Sequence, residues 1–181
     1  MRPSVPLQSL SPARASGILL CMLALIGCQR ENSAQINFKM GEKVTAGAMT
    51  YNVVQAAWRG QLGEAAHLRL PKNRFLVITL SAHNGGSRDV SLPFATLEGP
   101  AGKEYREIEE APGVENWFGL LRNFQGSETR QGNLVFDVPL TSYRLRLTDG
   151  GEPGAEKFVW VEIPLNMETD SAVPSPVPGE R

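Results

Sequence analysis

Histidine and cysteine are scarce: the 181 residues hold two of each. A catalytic nucleophile needs a base oriented beside it, and only His67 and His83 are available. Neither a Gly-x-Ser-x-Gly motif nor a cysteine beyond residue 28 occurs. Zinc asks for three or four His, Cys or carboxylate ligands, so two histidines and no thiol in the body weigh against a metal centre. His83 falls at a strand end before a turn and His67 ahead of a strand, and both read as structural. Gly99-Pro100-Ala101-Gly102-Lys103 lacks the Gly-x-x-x-x-Gly-Lys spacing that cradles phosphates and reads as a hairpin turn. Setting aside Arg2 and Arg14, 16 of the 18 basic residues remain against 19 acidic ones. That balance gives no broad basic footprint for nucleic acid. No apolar run reaches the roughly 20 residues that a membrane-spanning helix needs. These shortages point away from catalysis, and the expectation is a protein that is no enzyme and uses no cofactor.

What is present begins with an address. Arg2 and Arg14 make the start positive, no acidic residue precedes Glu31, and the apolar run Gly17–Gly27 follows. That is the layout of a secretory signal. The run closes on Leu25-Ile26-Gly27-Cys28, which resembles the lipobox of bacterial lipoproteins. The resemblance implies that residues 1–27 are cut away and that Cys28 carries a diacylglycerol, with further acylation of its new amino group. Two or more acyl chains anchor stably where one is marginal, at about 0.8 kcal/mol per buried CH₂. Gln29 after the cysteine resembles the pattern that enteric-type Gram-negative bacteria send to the outer membrane. The expected location is extracytoplasmic, held to the bacterial cell membrane by lipid. Cys21 leaves with the signal and Cys28 is consumed by the anchor, so the exported body has no cysteine for a disulfide. It must rely on packing, and a body of this size can bury a proper core.

The rest of the chain divides simply. Residues 28–35, the lipidated cysteine and a polar aperiodic stretch, read as a tether; Gln29–Gln35 spans up to roughly 24 Å at about 3.4 Å per residue. Residues 166–181 carry Pro174, Pro176 and Pro178 among Ser, Gly and charges, a tail with little to bury. Between them, residues 36–165 form the body. Strand signals recur at short spacing over Lys43–Ala46, Met49–Trp58, Arg74–Asn84, Val90–Glu98, Lys103–Arg106, Gly132–Val138, Tyr143–Thr148 and Phe158–Ile163. In the second, Tyr51, Val53 and Gln55 share a face. Arg74–Asn84 is apolar on both faces near its start, which predicts a central place in its sheet. Pro93 predicts an edge or a bend within Val90–Glu98. Seven or eight strands with short links predict an all-β, antiparallel immunoglobulin-like sandwich.

Several stretches together carry a family resemblance. They are Phe38-Lys39-Met40-Gly41-Glu42-Lys43-Val44, Met49-Thr50-Tyr51-Asn52-Val53, Phe75-Leu76-Val77-Ile78-Thr79-Leu80 with Asn84, Leu97 and Gly102-Lys103-Glu104-Tyr105, and Gly132-Asn133-Leu134-Val135-Phe136-Asp137-Val138-Pro139. Their order and spacing resemble the telokin-like, immunoglobulin-fold domain of unknown function found in bacterial lipoproteins and secreted proteins, a group related in structure to a secreted mycobacterial antigen. The resemblance implies the sandwich and export, and brings no catalytic residues with it. The stretch Ile108–Arg130 is longer and more aromatic than that pattern.

Within that stretch, Trp117, Leu120, Leu121 and Phe124 fall at i, i+3, i+4 and i+7, which predicts one face of a short helix plugging the core. Phe118 lies off that face and is expected to be exposed. Trp117, Phe118 and Phe124 are therefore the candidate partner-binding residues, since aromatics on a loop above a rigid sheet make good anchors. Glu104, Glu107, Glu109, Glu110 and Glu115 read as a solvated charged face, as do Asp149, Glu152 and Glu156. Arg144 and Arg146 mark the solvent side of a strand. The expected function is a protein-binding or structural module at the cell envelope, with the membrane and an envelope protein as partners. The alternative is a small-ligand or ion-binding lipoprotein, for which the acidic loop is the best feature.

Overall fold

A computed structural model describes residues 37–64 and 68–165. The signal, Cys28, the tether, His67 and the C-terminal tail lie outside the described residues. Eleven strands run through them: β1 (Asn37–Lys39), β2 (Lys43–Ala46), β3 (Met49–Arg59), β4 (Arg74–Asn84), β5 (Val90–Ser91), β6 (Thr96–Glu98), β7 (Glu104–Arg106), β8 (Asn123–Phe124), β9 (Thr129–Val138), β10 (Tyr143–Thr148) and β11 (Phe158–Ile163). They form a β-sandwich of two sheets, ordered β1-β11-β10-β6-β7 and β2-β3-β4-β9, with β5 and β8 as a separate ribbon. Neighbours are antiparallel except β1, which lies parallel to β11. No helix of the described residues is long and apolar enough to cross a membrane.

Alternation places the core. Leu145 and Leu147 of β10, Val161 and Ile163 of β11 and Leu97 of β6 meet Tyr51, Leu76, Ile78, Leu134 and Phe136 of the other sheet. The Tyr51 hydroxyl donates to the Thr148 carbonyl at 2.5 Å, tying one sheet to the other. Burial pushes its phenol far above the ordinary range, so it stays a neutral donor.

The two-sided apolar pattern of β4 has the predicted outcome, for two reasons. The strand sits between β3 and β9, and its outer face is covered as well. Phe75 and Val77 pack there with Leu62, Ala111 and Val135 in a second cluster roofed by Ile108, Val114 and Trp117. The roof is made of two loops that nearly touch: a Cβ on Gly113, at φ +72°, would lie 2.4 Å from Gly63 Cα. Only glycine suits both the conformation and the approach.

Two strand expectations need correction. Val90–Glu98 is two strands, because the segment around Pro93 leaves β5 paired with β8 and carries β6 into the five-stranded sheet. In β3 a bulge between Val53 and Gln55 inserts Val54. Tyr51 and Val53 share a face as expected, and it is the buried one, but the bulge shifts the alternation so that Ala56 is buried and Gln55 exposed.

At the end of β4, Asn84 is fully buried. Its Nδ2 lies within hydrogen-bond distance of the carbonyls of Arg88 (2.7 Å), Gln125 (3.0 Å) and Phe124 (3.2 Å), and its Oδ1 accepts from Gly86 N at 3.0 Å. One side chain thus holds the turn after β4 to the segment leaving β8. Asn84→Ala is expected to cost about 2–3 kcal/mol, because buried carbonyls lose their donor. Urea unfolding measures this, and a loss below about 0.5 kcal/mol would show that the turn holds itself. Next to it, His83 Nδ1 lies 2.8 Å from Thr129 Oγ1 across the β4–β9 pair, the structural role expected of it.

Candidate functional site

Between β7 and β8 the chain makes one long excursion, and its two ends carry opposite charges. Glu107 directly follows β7 and Arg122 directly precedes β8. Both are 4% exposed. Arg122 Nη2 donates to Glu107 Oε1 at 2.5 Å and Nη1 to Oε2 at 2.9 Å. The fork is two-pronged, the geometry in which guanidinium and carboxylate bind most strongly. Ala95 N donates to Oε2 at 3.3 Å, and the Arg122 guanidinium lies over the rings of Phe94 (5.0 Å) and Phe118 (5.9 Å). Burial pushes the Glu107 carboxyl above its usual range against the opposing pull of Arg122. Glu107 therefore departs from the expected solvated acidic face. Glu104, Glu109, Glu110 and Glu115 are exposed as expected.

The excursion closed by this pair does two things. Its first part bonds to the free side of β9, which at ten residues is the longest sheet edge. Ile108 N donates to Val135 O (2.9 Å), Asn133 N to Asn116 O (2.8 Å) and Phe118 N to Asn133 O (3.1 Å). An open edge of that length invites pairing with another chain; here the protein's own loop bonds to its middle, at Asn133 and Val135. The other edges, β1, β2 and β7, have only three or four residues each.

The second part is a tip. No helix forms over 117–124: Asn116 takes φ +50° and Gly119 φ +73°, two left-handed residues that stop helical propagation. The expected pattern of burial is consequently altered. Phe118, expected in solvent, is only 7% exposed and joins Phe124 in the main core, ring centroids 6.2 Å apart. Trp117 is half-buried over the second cluster. Leu120 and Leu121, expected inside, are 57% and 90% exposed. Arg122 Nε donates to Gly119 O at 3.0 Å, so the buried ion pair also closes the turn that lifts the two leucines. Of the three candidate partner-binding aromatics, Phe118 and Phe124 belong to the core, and the exposed apolar groups are their neighbours. The signal in the sequence is Gly119-Leu120-Leu121, since a turn glycine followed by two leucines marks a loop tip as readily as a helix.

The outer face of the five-stranded sheet carries Arg144 and Arg146, as the alternation predicts. Neither is a free cation: Arg144 pairs with Glu98 and Arg146 with Glu156. Arg144 also lies over Trp160 at 4.9 Å and Arg146 over Phe158 at 4.3 Å. The hydrogen bond from Arg146 holds the Glu156 carboxyl below its usual range. Among the described residues, no three His, Cys, Asp or Glu side chains converge as a metal site would require.

No curated protein matches the chain in sequence. Among solved structures, the yjhA protein of Bacillus subtilis is 14% identical, with a TM-score of 0.54 over 68% of this chain and 99% of its own. A functionally unknown protein of Listeria monocytogenes matches at 14% identity and a TM-score of 0.53, over 69% of this chain and 82% of its own. A candidate lipoprotein of Bacillus subtilis, ycdA, matches at 14% identity and a TM-score of 0.50, over 67% of this chain and 38% of its own. At such identity the likeness is one of fold. The profile of a domain of unknown function, DUF4352, matches residues 38–157, from β1 to the residue before β11, and the chain belongs to that family.

Proposed function

We propose that this protein is a non-catalytic binding module, anchored by lipid at Cys28 on the outer side of a bacterial membrane, that docks a protein of the cell envelope through Leu120 and Leu121. The observation that carries the reading is the tip: two leucines, 57% and 90% exposed, on a turn braced from beneath by a buried two-pronged ion pair. Apolar side chains presented on a backbone turn that is already braced spare the cost of ordering the loop on binding. The scarcity of histidine and the absence of cysteine beyond Cys28 support a role without catalysis. The anchor rests on the signal-like start and Leu25-Ile26-Gly27-Cys28, and the fold is shared with a candidate lipoprotein.

A photo-crosslinking residue placed at Leu121 in the full, lipidated chain tests this in cells. A discrete protein adduct is expected at position 121 and not at Lys43, an exposed site on β2. It should fall severalfold in the Leu120→Ser variant and in Cys28→Ser. Equal adducts at both positions, or adducts to lipid alone, would remove the tip as a protein contact.

A further inference from the structure

A cleft of about 840 Å³ opens at one end of the five-stranded sheet, where β1, β6, β10 and β11 all finish or begin. It is independent of the 119–122 tip. Its volume is in the range of small-molecule sites. Met40, Tyr143 and Ile163 line it together with Pro100 and Pro164. Tyr143 and Ile163 are 3% and 1% exposed, so their side chains belong to the core. The Tyr143 hydroxyl donates to Pro139 O at 2.6 Å, which fixes its ring. Gly99 makes room for that ring: a Cβ there would come within 3.0 Å of Tyr143 and 3.1 Å of Tyr105.

Ser142 and four charged side chains complete the lining, and the charged four form one row across four strands. Lys39 stands opposite Glu162, Glu162 opposite Arg144, and Arg144 opposite Glu98. The signs alternate and sum to zero, so the row favours neither a simple anion nor a simple cation. Arg144 is committed to Glu98. Lys39 and Glu162 form no ion pair among the described residues. They project from neighbouring strands about 4.8 Å apart. What complements an ammonium and a carboxylate so close together is a compact zwitterion, and what complements the apolar wall beside them is a hydrocarbon arm.

We propose that this cleft binds a free α-amino acid with a large apolar side chain, its carboxylate on Lys39, its ammonium on Glu162 and its side chain against Met40, Pro100 and Pro164. Calorimetric titration of the full chain with L-phenylalanine tests it. N-acetyl-L-phenylalanine, which lacks the ammonium, and L-phenylalanine amide, which lacks the carboxylate, should each bind at least about tenfold more weakly. Glu162→Gln should weaken the free amino acid by a similar factor and abolish its advantage over the N-acetyl form. Lys39→Gln should do the same for the amide. Both residues are exposed, so neither variant should disturb folding, which circular dichroism checks. No heat from L-phenylalanine, or equal binding of all three compounds, would overturn the proposal. Tighter binding of glycerophosphoethanolamine would overturn it too, by assigning the site to lipid head groups.

Discussion

Glu107→Ala is expected to lower the stability of the body by about 3–5 kcal/mol, the cost of leaving a buried partner charge uncompensated. Arg122 cannot shed its proton, and it is anchored on both sides, by Gly119 O and by the rings of Phe94 and Phe118. It therefore has no easy route to water. Chemical unfolding followed by circular dichroism measures the loss, and the melting temperature should fall by roughly 10 °C or more. The double variant Glu107→Leu with Arg122→Met separates charge from shape. Apolar replacements of a buried pair are often neutral or stabilising, so the double variant should regain most of what the single one loses. If Glu107→Ala costs less than about 1 kcal/mol, water reaches Arg122 and the neck of the excursion is looser than its geometry indicates.

The second large effect concerns two neighbours on the same loop with opposite fates. Phe118→Ala should cost about 3 kcal/mol or more, through lost burial and the cavity left beside Phe124. Leu121→Ala should change stability by no more than about 0.5 kcal/mol, since its side chain touches mostly solvent. Phe118 also supplies a face for Arg122, so part of its loss should overlap that of Glu107→Ala, and the two changes should not add. Thermal melts of the single and double variants settle this. A neutral Phe118→Ala would mean that the ring points out, as helical spacing implied.

The contrast shows which features the sequence carried. β4, β10 and β11 are legible to the residue, because continuous or alternating apolar runs leave one consistent placement. The family pattern was legible in the order of the strands. The excursion was not. Trp117, Leu120, Leu121 and Phe124 satisfy helical spacing, but spacing alone does not register that Asn116 and Gly119 take left-handed conformations. Glu107 sits in a run of acidic residues that looks uniformly solvated. Its burial depends on Arg122, a partner 15 residues further along the chain. The bulge in β3 was hidden for a similar reason: Val54 is as apolar as Val53, and only pairing with β4 shows which is surplus. Local pattern thus specified most of the strands, while the candidate site arises from contacts between segments that no local pattern encodes.

The parallel pairing of β1 with β11 has a consequence in time. Asn37 lies beside Trp160 and Lys39 beside Glu162, so the first strand of the body waits for the last. Contacts between such distant segments slow folding, because the intervening chain must be organised before they form. As the chain emerges from its N-terminus, β3, β4 and β9 can already assemble when β10 appears, but β1 has no partner until Phe158–Ile163 is made. The five-stranded sheet is then closed from its edge in one late step. A chain stopped before residue 158 should therefore expose the inner face of its earlier strands, and full protection of amide hydrogens in β1 should appear only with the complete body.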